Sequence, residues 1–169
     1  LNLSSEQGNI TKLNGIDIWW ESHGDINNPT ALLIMGLNSN SKVWSDQYIE
    51  NLVVNNLHVL VFDNRDIGKS TWITEEPGLI TFIKYLPNFL QVYFVEFIFG
   101  FIFDEEGKFN MENPAPAEYN LSDMAMDGIA LLDHLEISEA HIIGASMGGM
   151  IAQVMALEHS DRVKSLTLF

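Results

Sequence analysis

The chain contains no cysteine. Disulfide frameworks, thiolate nucleophiles and thiolate metal sites are therefore excluded. Basic residues are scarce: 8 Lys and Arg stand against 23 Asp and Glu, a formal net charge of −15 at pH 7. Nucleic-acid binding requires a basic surface that displaces counterions, so no nucleic-acid partner is expected. The same deficit disfavours docking on anionic lipid. Long apolar runs are missing as well. The stretch from Gly78 to Gly107, the richest in phenylalanine, is interrupted by Lys84, Pro87, Gln91 and Glu96. No uninterrupted span of about 20 apolar residues remains, and no transmembrane segment is expected. The opening residues carry no charged-then-apolar leader pattern, and the expected compartment is the cytoplasm.

What is present suits a globular domain, or a large part of one. Hydrophobic residues make up 47% of 169, enough to bury a sizeable core. Asn14-Gly15, between ITKL and IDIWWESHG, is the strongest short hairpin signal and predicts two antiparallel strands at the start. The apolar runs ALLIM, HVLVF, AHIIG and VKSLTLF read as strands. Helical patterns fall between them: about Trp44 to Val54, from Ser122 through Leu135 with Ser122 able to cap, and MIAQVMALEH. Apolar strands alternating with helices predict an α/β fold, a mainly parallel sheet with helices on both faces. The expected organisation is core over 1–76, a Phe-rich, lid-like insertion over 77–118, and core again over 119–169. Asp104-Glu105-Glu106 has no histidine nearby and reads as a solvated loop, so neither a metal site nor a cofactor is expected.

Gly144-Ala145-Ser146-Met147-Gly148 matches G-x-S-x-G, with a predicted strand before it and a predicted helix after it. That context is the one the motif requires, while the motif alone leaves open a purely structural serine in a glycine-rich turn. The turn lifts the Ser146 hydroxyl clear of the sheet, and the glycines let strand and helix approach closely. The N–H of Met147 falls at a helix N-terminus, where free donors and the dipole favour a developing oxyanion. A dinucleotide fingerprint fits poorly, because Ser146 stands where G-x-G-x-x-G needs glycine and VKSLTLF offers no acid.

With these residues in view, the chain resembles the amino-terminal half of the α/β-hydrolase fold. The branch is the one that includes methylesterase-like and proline-iminopeptidase-like enzymes. The resemblance rests on LLIMGLNSNSKVW, VLVFDNRDIGKS, YNLSDMAMDGIALLDHL and HIIGASMGGMIAQVMALEHSDRVKSLTLF, in the family's order. It implies Ser146 as nucleophile, with the N–H of Met147 and of Leu37 forming the oxyanion hole. Met35 stands where many relatives have His, which the fold should tolerate because the donor is a backbone group. A serine at 146, where dehalogenases and epoxide hydrolases of this fold use aspartate, implies acyl transfer on a small, apolar carboxylic ester. Asp63, Arg65 and Asp66 are expected to be structural. A non-catalytic ligand-binding or receptor-like protein, or a truncated inactive product, remains the alternative.

A serine needs a base and an orienting acid, which in this fold follow later strands. Four of the 5 histidines sit at strand starts or where helices lead into strands, the end opposite the elbow, and His23 is a loose candidate at best. The chain is therefore expected to be inactive or weakly active alone. Its expected partner is a carboxyl-terminal half, or a second chain, that completes the sheet.

Overall fold

Asn14 and Gly15 both take positive φ, 50° and 86°, as the two central residues of a type I′ turn must. The turn joins β1 (Asn9–Leu13) to β2 (Ile16–His23) in the antiparallel hairpin expected from the sequence. The structure, a computed structural model, describes residues 8–74 and 117–169. All of these except Thr74, Ala117 and Glu118 belong to one compact unit, Leu1–Ile73 with Tyr119–Phe169. The expected Phe-rich insertion at 77–118 and the Asp104-Glu105-Glu106 loop lie outside the described residues, Ala117 and Glu118 apart.

Four further strands complete a six-stranded mixed sheet: β3 (Thr30–Ile34), β4 (His58–Phe62), β5 (Ala140–Gly144) and β6 (Val163–Leu168). Their spatial order is β1-β2-β4-β3-β5-β6. The hairpin joins antiparallel through β2 and β4, while β4–β3, β3–β5 and β5–β6 run parallel. β3 and β4 are buried throughout, which is why their sequences are continuously apolar rather than alternating.

Successive side chains nonetheless serve two cores. Leu32, Ile34, Leu60, Phe62 and Ile142 pack on one face with Met124, Leu131, Ile151 and Met155. These come from α2 (Leu121–His134) and α3 (Met147–Glu158). Ala31, Leu33, Val59, Val61 and Ile143 pack on the other with Ile49 and Tyr48, from α1 (Asp46–Val54). Helices thus cover both faces, and the fold is the α/β arrangement that the strand pattern predicts. The cap of α2 differs from expectation. Asn120, not Ser122, accepts the N–H bonds of residues 122 and 123, while Asp123 answers the Asn120 N–H in a capping box. Among the described residues no helix is long and apolar enough to cross a membrane.

One buried ion pair ties these elements together. Arg65, just past β4, donates through Nε and Nη2 to Asp127 at 2.7 and 2.8 Å, and Nη2 also reaches the Asp123 carbonyl. Asn14 of the hairpin turn donates to the same carboxylate at 3.2 Å. The hydrogen bond to Asp127 outweighs burial and holds the guanidinium pKa above its ordinary value. Tyr119 lies 5.0 Å from the guanidinium carbon. Burial and a hydrogen bond to Asp66 push its phenol up to about 12. Backbone bonds and the ion pair hold the turn that carries Arg65 and Asp66.

Asp127→Ala leaves a buried guanidinium unpaired and should cost about 3–5 kcal/mol in urea unfolding; replacing both partners with apolar residues should cost less. Gly148→Ala would drive a Cβ to 2.1 Å from the Ile34 carbonyl oxygen, and loss of about 3 kcal/mol or of soluble protein is expected. Gly15→Ala meets nothing within 4 Å and should cost only the positive-φ strain, about 1–2 kcal/mol, in the same urea unfolding.

Candidate active site

The elbow forms where β5 ends and α3 begins. Ser146 occupies the position before the helix at φ 54°, ψ −123°, a conformation that costs an L-residue about 1–3 kcal/mol. Close packing holds it there. A Cβ on Gly144 would lie 2.4 Å from the Gly148 carbonyl oxygen, and one on Gly148 would strike the end of β3. Strand and helix therefore meet at backbone distance, and the turn between them is forced outward. Its ends are bonded on both sides. Ala145 N–H donates to Ile34 O, and Ser146 N–H donates to Phe169 O, each at 3.0 Å. The Ser146 side chain is exposed and caps nothing.

The helix behind it begins without an acidic residue in its first turn, so its positive end is unneutralised. Gly148 N–H bonds back to Ala145 O and Gly149 N–H to Ser146 O, each at 2.8 Å. Among the described residues, no acceptor is bonded to the N–H of Met147 or of Leu37.

Leu37 lies in the loop that leaves β3. Gly36 is so near the elbow that a Cβ on it would stand 2.9 Å from Ser146 Cβ and 3.3 Å from Met147 N. The structure thus brings Ser146, Met147 and the Gly36-Leu37 peptide together from two neighbouring strand ends. A turn closed by Ser39 N–H on Gly36 O, with Asn38 at φ 55°, leaves the Leu37 side chain 72% exposed.

Residues with no candidate role in the sequence hold this loop from β4. Asp63 Oδ1 accepts the Ser41 N–H at 2.9 Å and the Ser41 hydroxyl at 2.8 Å, while its Oδ2 accepts the Lys69 N–H. Asn64 Nδ2 donates to the Met35 carbonyl at 2.9 Å. Asp63 is expected from the sequence to be structural, whereas Asn64 stands out only as part of VLVFDNRDIGKS, immediately after a buried strand.

All five histidines are described, and none touches Ser146. His58 is fully buried between the hydroxyls of Ser22 and Thr30, at 2.8 and 3.0 Å. Burial lowers its pKa, so it stays neutral. His141 bonds Ser165, His134 rests against Thr11 and Trp20, and His159 ends α3. His23, the one loose candidate from the sequence, pairs opposite Val59 near the amino end of β4 and lies 3.6 Å from Glu21. It is at the wrong end of the sheet. A groove of about 320 Å³ lined by Thr30, Glu139 and Lys164 also lies at that amino end. Among the described residues, no group of His, Asp and Glu could hold a metal ion.

Comparison with known proteins agrees with this fold. The chain is 27% identical over 153 residues to the rhodomycin D methylesterase DnrP of Streptomyces peucetius, covering 90% of this chain and 38% of the relative. To the rhodomycin D methylesterase DauP of Streptomyces sp. (strain C5) it is 26% identical over 159 residues, covering 94% and 40%. It thus spans about two fifths of the length of these curated relatives. The crystal structure of epoxide hydrolase A from Mycobacterium thermoresistibile superimposes with a TM-score of 0.66 at 20% identity, over 96% of this chain and 38% of that one. The sequence model of the alpha/beta hydrolase fold matches residues 29–169, and the chain belongs to that family of hydrolases.

Proposed function

We propose that this chain carries the nucleophile and oxyanion hole of a serine hydrolase acting on a small, apolar carboxylic ester. The observation that carries the reading is the exposed Ser146 at φ 54°, set against the free end of α3 and beside Gly36. In this reading Ser146 Oγ attacks the ester carbonyl as a base removes its proton. The N–H groups of Leu37 and Met147 hold the oxygen that becomes negative in the tetrahedral intermediate. The bond to the alkoxy group then breaks, the alcohol leaves with the proton, and an acyl group stays on Ser146. Attack by water on the acyl group, assisted by the same base, returns the free serine and the acid.

The base and the orienting acid are assigned to polypeptide outside these 169 residues, either further along the same protein or on a second chain. Two facts support this. Four of the five histidines make their side-chain contacts elsewhere, and His159 stands at the far end of α3. The chain also spans only 38–40% of the methylesterases to which it is similar. Leu166, Leu168 and Phe169 along β6 are exposed, an apolar surface that such polypeptide would cover. Methyl esters are the first substrates to try, because the two relatives are methylesterases by name.

A fluorophosphonate should label the full-length protein at Ser146, and Ser146→Ala should lower ester turnover by on the order of 10⁶. An adduct mapped to another residue, or undiminished turnover in the variant, would overturn the assignment. The site is further proposed to play a role in selecting apolar substrate groups. In a series of esters of increasing chain length, kcat/KM should then rise about fourfold per methylene, the equivalent of roughly 0.8 kcal/mol. A flat series would remove that role.

A further inference from the structure

We infer that Asn64 is a positioning residue that keeps the oxyanion hole open; the inference rests on the reading of Leu37 and Met147 as its donors. The loop from Met35 to Ser41 leaves β3 and has to arch toward Ser146, just past the end of β5. Its critical joint is Gly36, which has no Cβ and does not settle the orientation of its own peptide planes. Something outside the loop must do so. Asp63 anchors the far end at Ser41, and Asn64 anchors the near end through the Met35 carbonyl.

The near end is where the risk lies. The Met35 carbonyl oxygen is pressed on the first turn of α3, 2.8 Å from where a Cβ on Gly148 would sit. The N–H of Met147 in that same turn has no bonded acceptor among the described residues. A buried carbonyl beside a free helix N–H can turn toward it and bond unless another donor fixes its direction. Asn64 Nδ2 is that donor, at 2.9 Å. Without it, the Met35 carbonyl is free to turn onto the Met147 N–H. That rotation would occupy one oxyanion donor and, through Gly36, swing the Leu37 N–H off line.

The remaining atoms of Asn64 argue against a purely structural amide. The residue is 2% exposed, and its Oδ1 is buried with no partner among the described residues. A buried, unbonded amide oxygen is destabilising, so an apolar side chain of the same shape would fill the space at less cost. The single bond to Met35 is what the amide supplies.

The test is kinetic, on the full-length protein with an ester substrate. Asn64→Leu should lower kcat by about 10- to 100-fold, somewhat less than outright removal of an oxyanion donor, with KM changed less than threefold. Asn64→Asp distinguishes positioning from support. The carboxylate has no proton to donate to Met35, whereas the carboxylic acid has one. The ratio of its kcat to the wild-type value, taken at each pH, should therefore recover as pH falls through the titration of the introduced group. This variant also keeps the proposal open to refutation should Asn64→Leu fail to fold. Wild-type kcat in either variant, or a ratio that does not change with pH, would overturn the proposal. Ser146→Ala, assayed alongside, separates the two questions. If it is inactive while the Asn64 variants are not impaired, only the positioning role falls; if it keeps its turnover, the nucleophile reading falls first.

Discussion

The site depends on a contact that contains no side chain. α3 begins with Gly148 against the carbonyls of Ile34 and Met35, while Gly144 faces the Gly148 carbonyl at backbone distance. Any Cβ in these places would push the helix away from β3 and relax the turn that holds Ser146 at positive φ. The strain in the serine is thus sustained by packing elsewhere, in the buried β3 and in Ile151, Ala152 and Met155 of α3, all fully buried. Strained residues persist where surrounding structure over-determines them, and here the surroundings are a fully buried strand and a helix that cannot slide along it.

Polar groups at the carboxyl end of the sheet follow from the same geometry. β3 and β4 are parallel neighbours with Leu33 opposite Val61, so the loops that leave them emerge side by side. Asp63 and Asn64 can then bond across to Ser41 and Met35, and Arg65 can reach back to Asp127 on α2. Three consecutive residues thus bind both ends of one loop and a helix on the face of the sheet. In a protein with a net charge of −15, a buried arginine facing a buried carboxylate ties the hairpin turn, β4 and α2 together, since Asn14 joins the same group. Such a pair is weak evidence of net stability, because removing two charges from water is costly. Its effect is to select one arrangement of these elements.

Much of this was legible in the sequence because it is encoded in period and local chemistry. Asn14-Gly15 announced the hairpin, the continuous apolar runs announced buried strands, and G-x-S-x-G between a strand and a helix announced the elbow. The parts that were not legible depend on spatial neighbours. Asn64 and Met35 are 29 residues apart, and only the strand order β4-β3 brings them together. The α2 cap was misread for a smaller reason: Asn120 and Ser122 are both capping residues, and Asp123 completes a capping box only with the asparagine. His23 was a loose candidate because nothing local marks an antiparallel strand as joining β4. Once β2 pairs there, His23 lies opposite Val59.

That pairing also explains why the histidines and the serine are kept apart. His58 and His141 lie at the first and second positions of β4 and β5, His23 beside the second residue of β4, and Ser146 two residues beyond the end of β5. Five residues at about 3.3 Å each place roughly 16 Å between the two ends of a strand, several times the reach of a hydrogen bond. His134 is displaced sideways instead. It contacts Thr11 on β1, four strands from β5 in the sheet order, which at about 4.8 Å per strand is roughly 19 Å. No side-chain rotation closes such gaps. In the proposed reading, a base for Ser146 would have to be presented from the carboxyl side of the sheet, where β3, β4 and β5 end. The free end of α3 and the loop clamped by Asp63 and Asn64 face that same side.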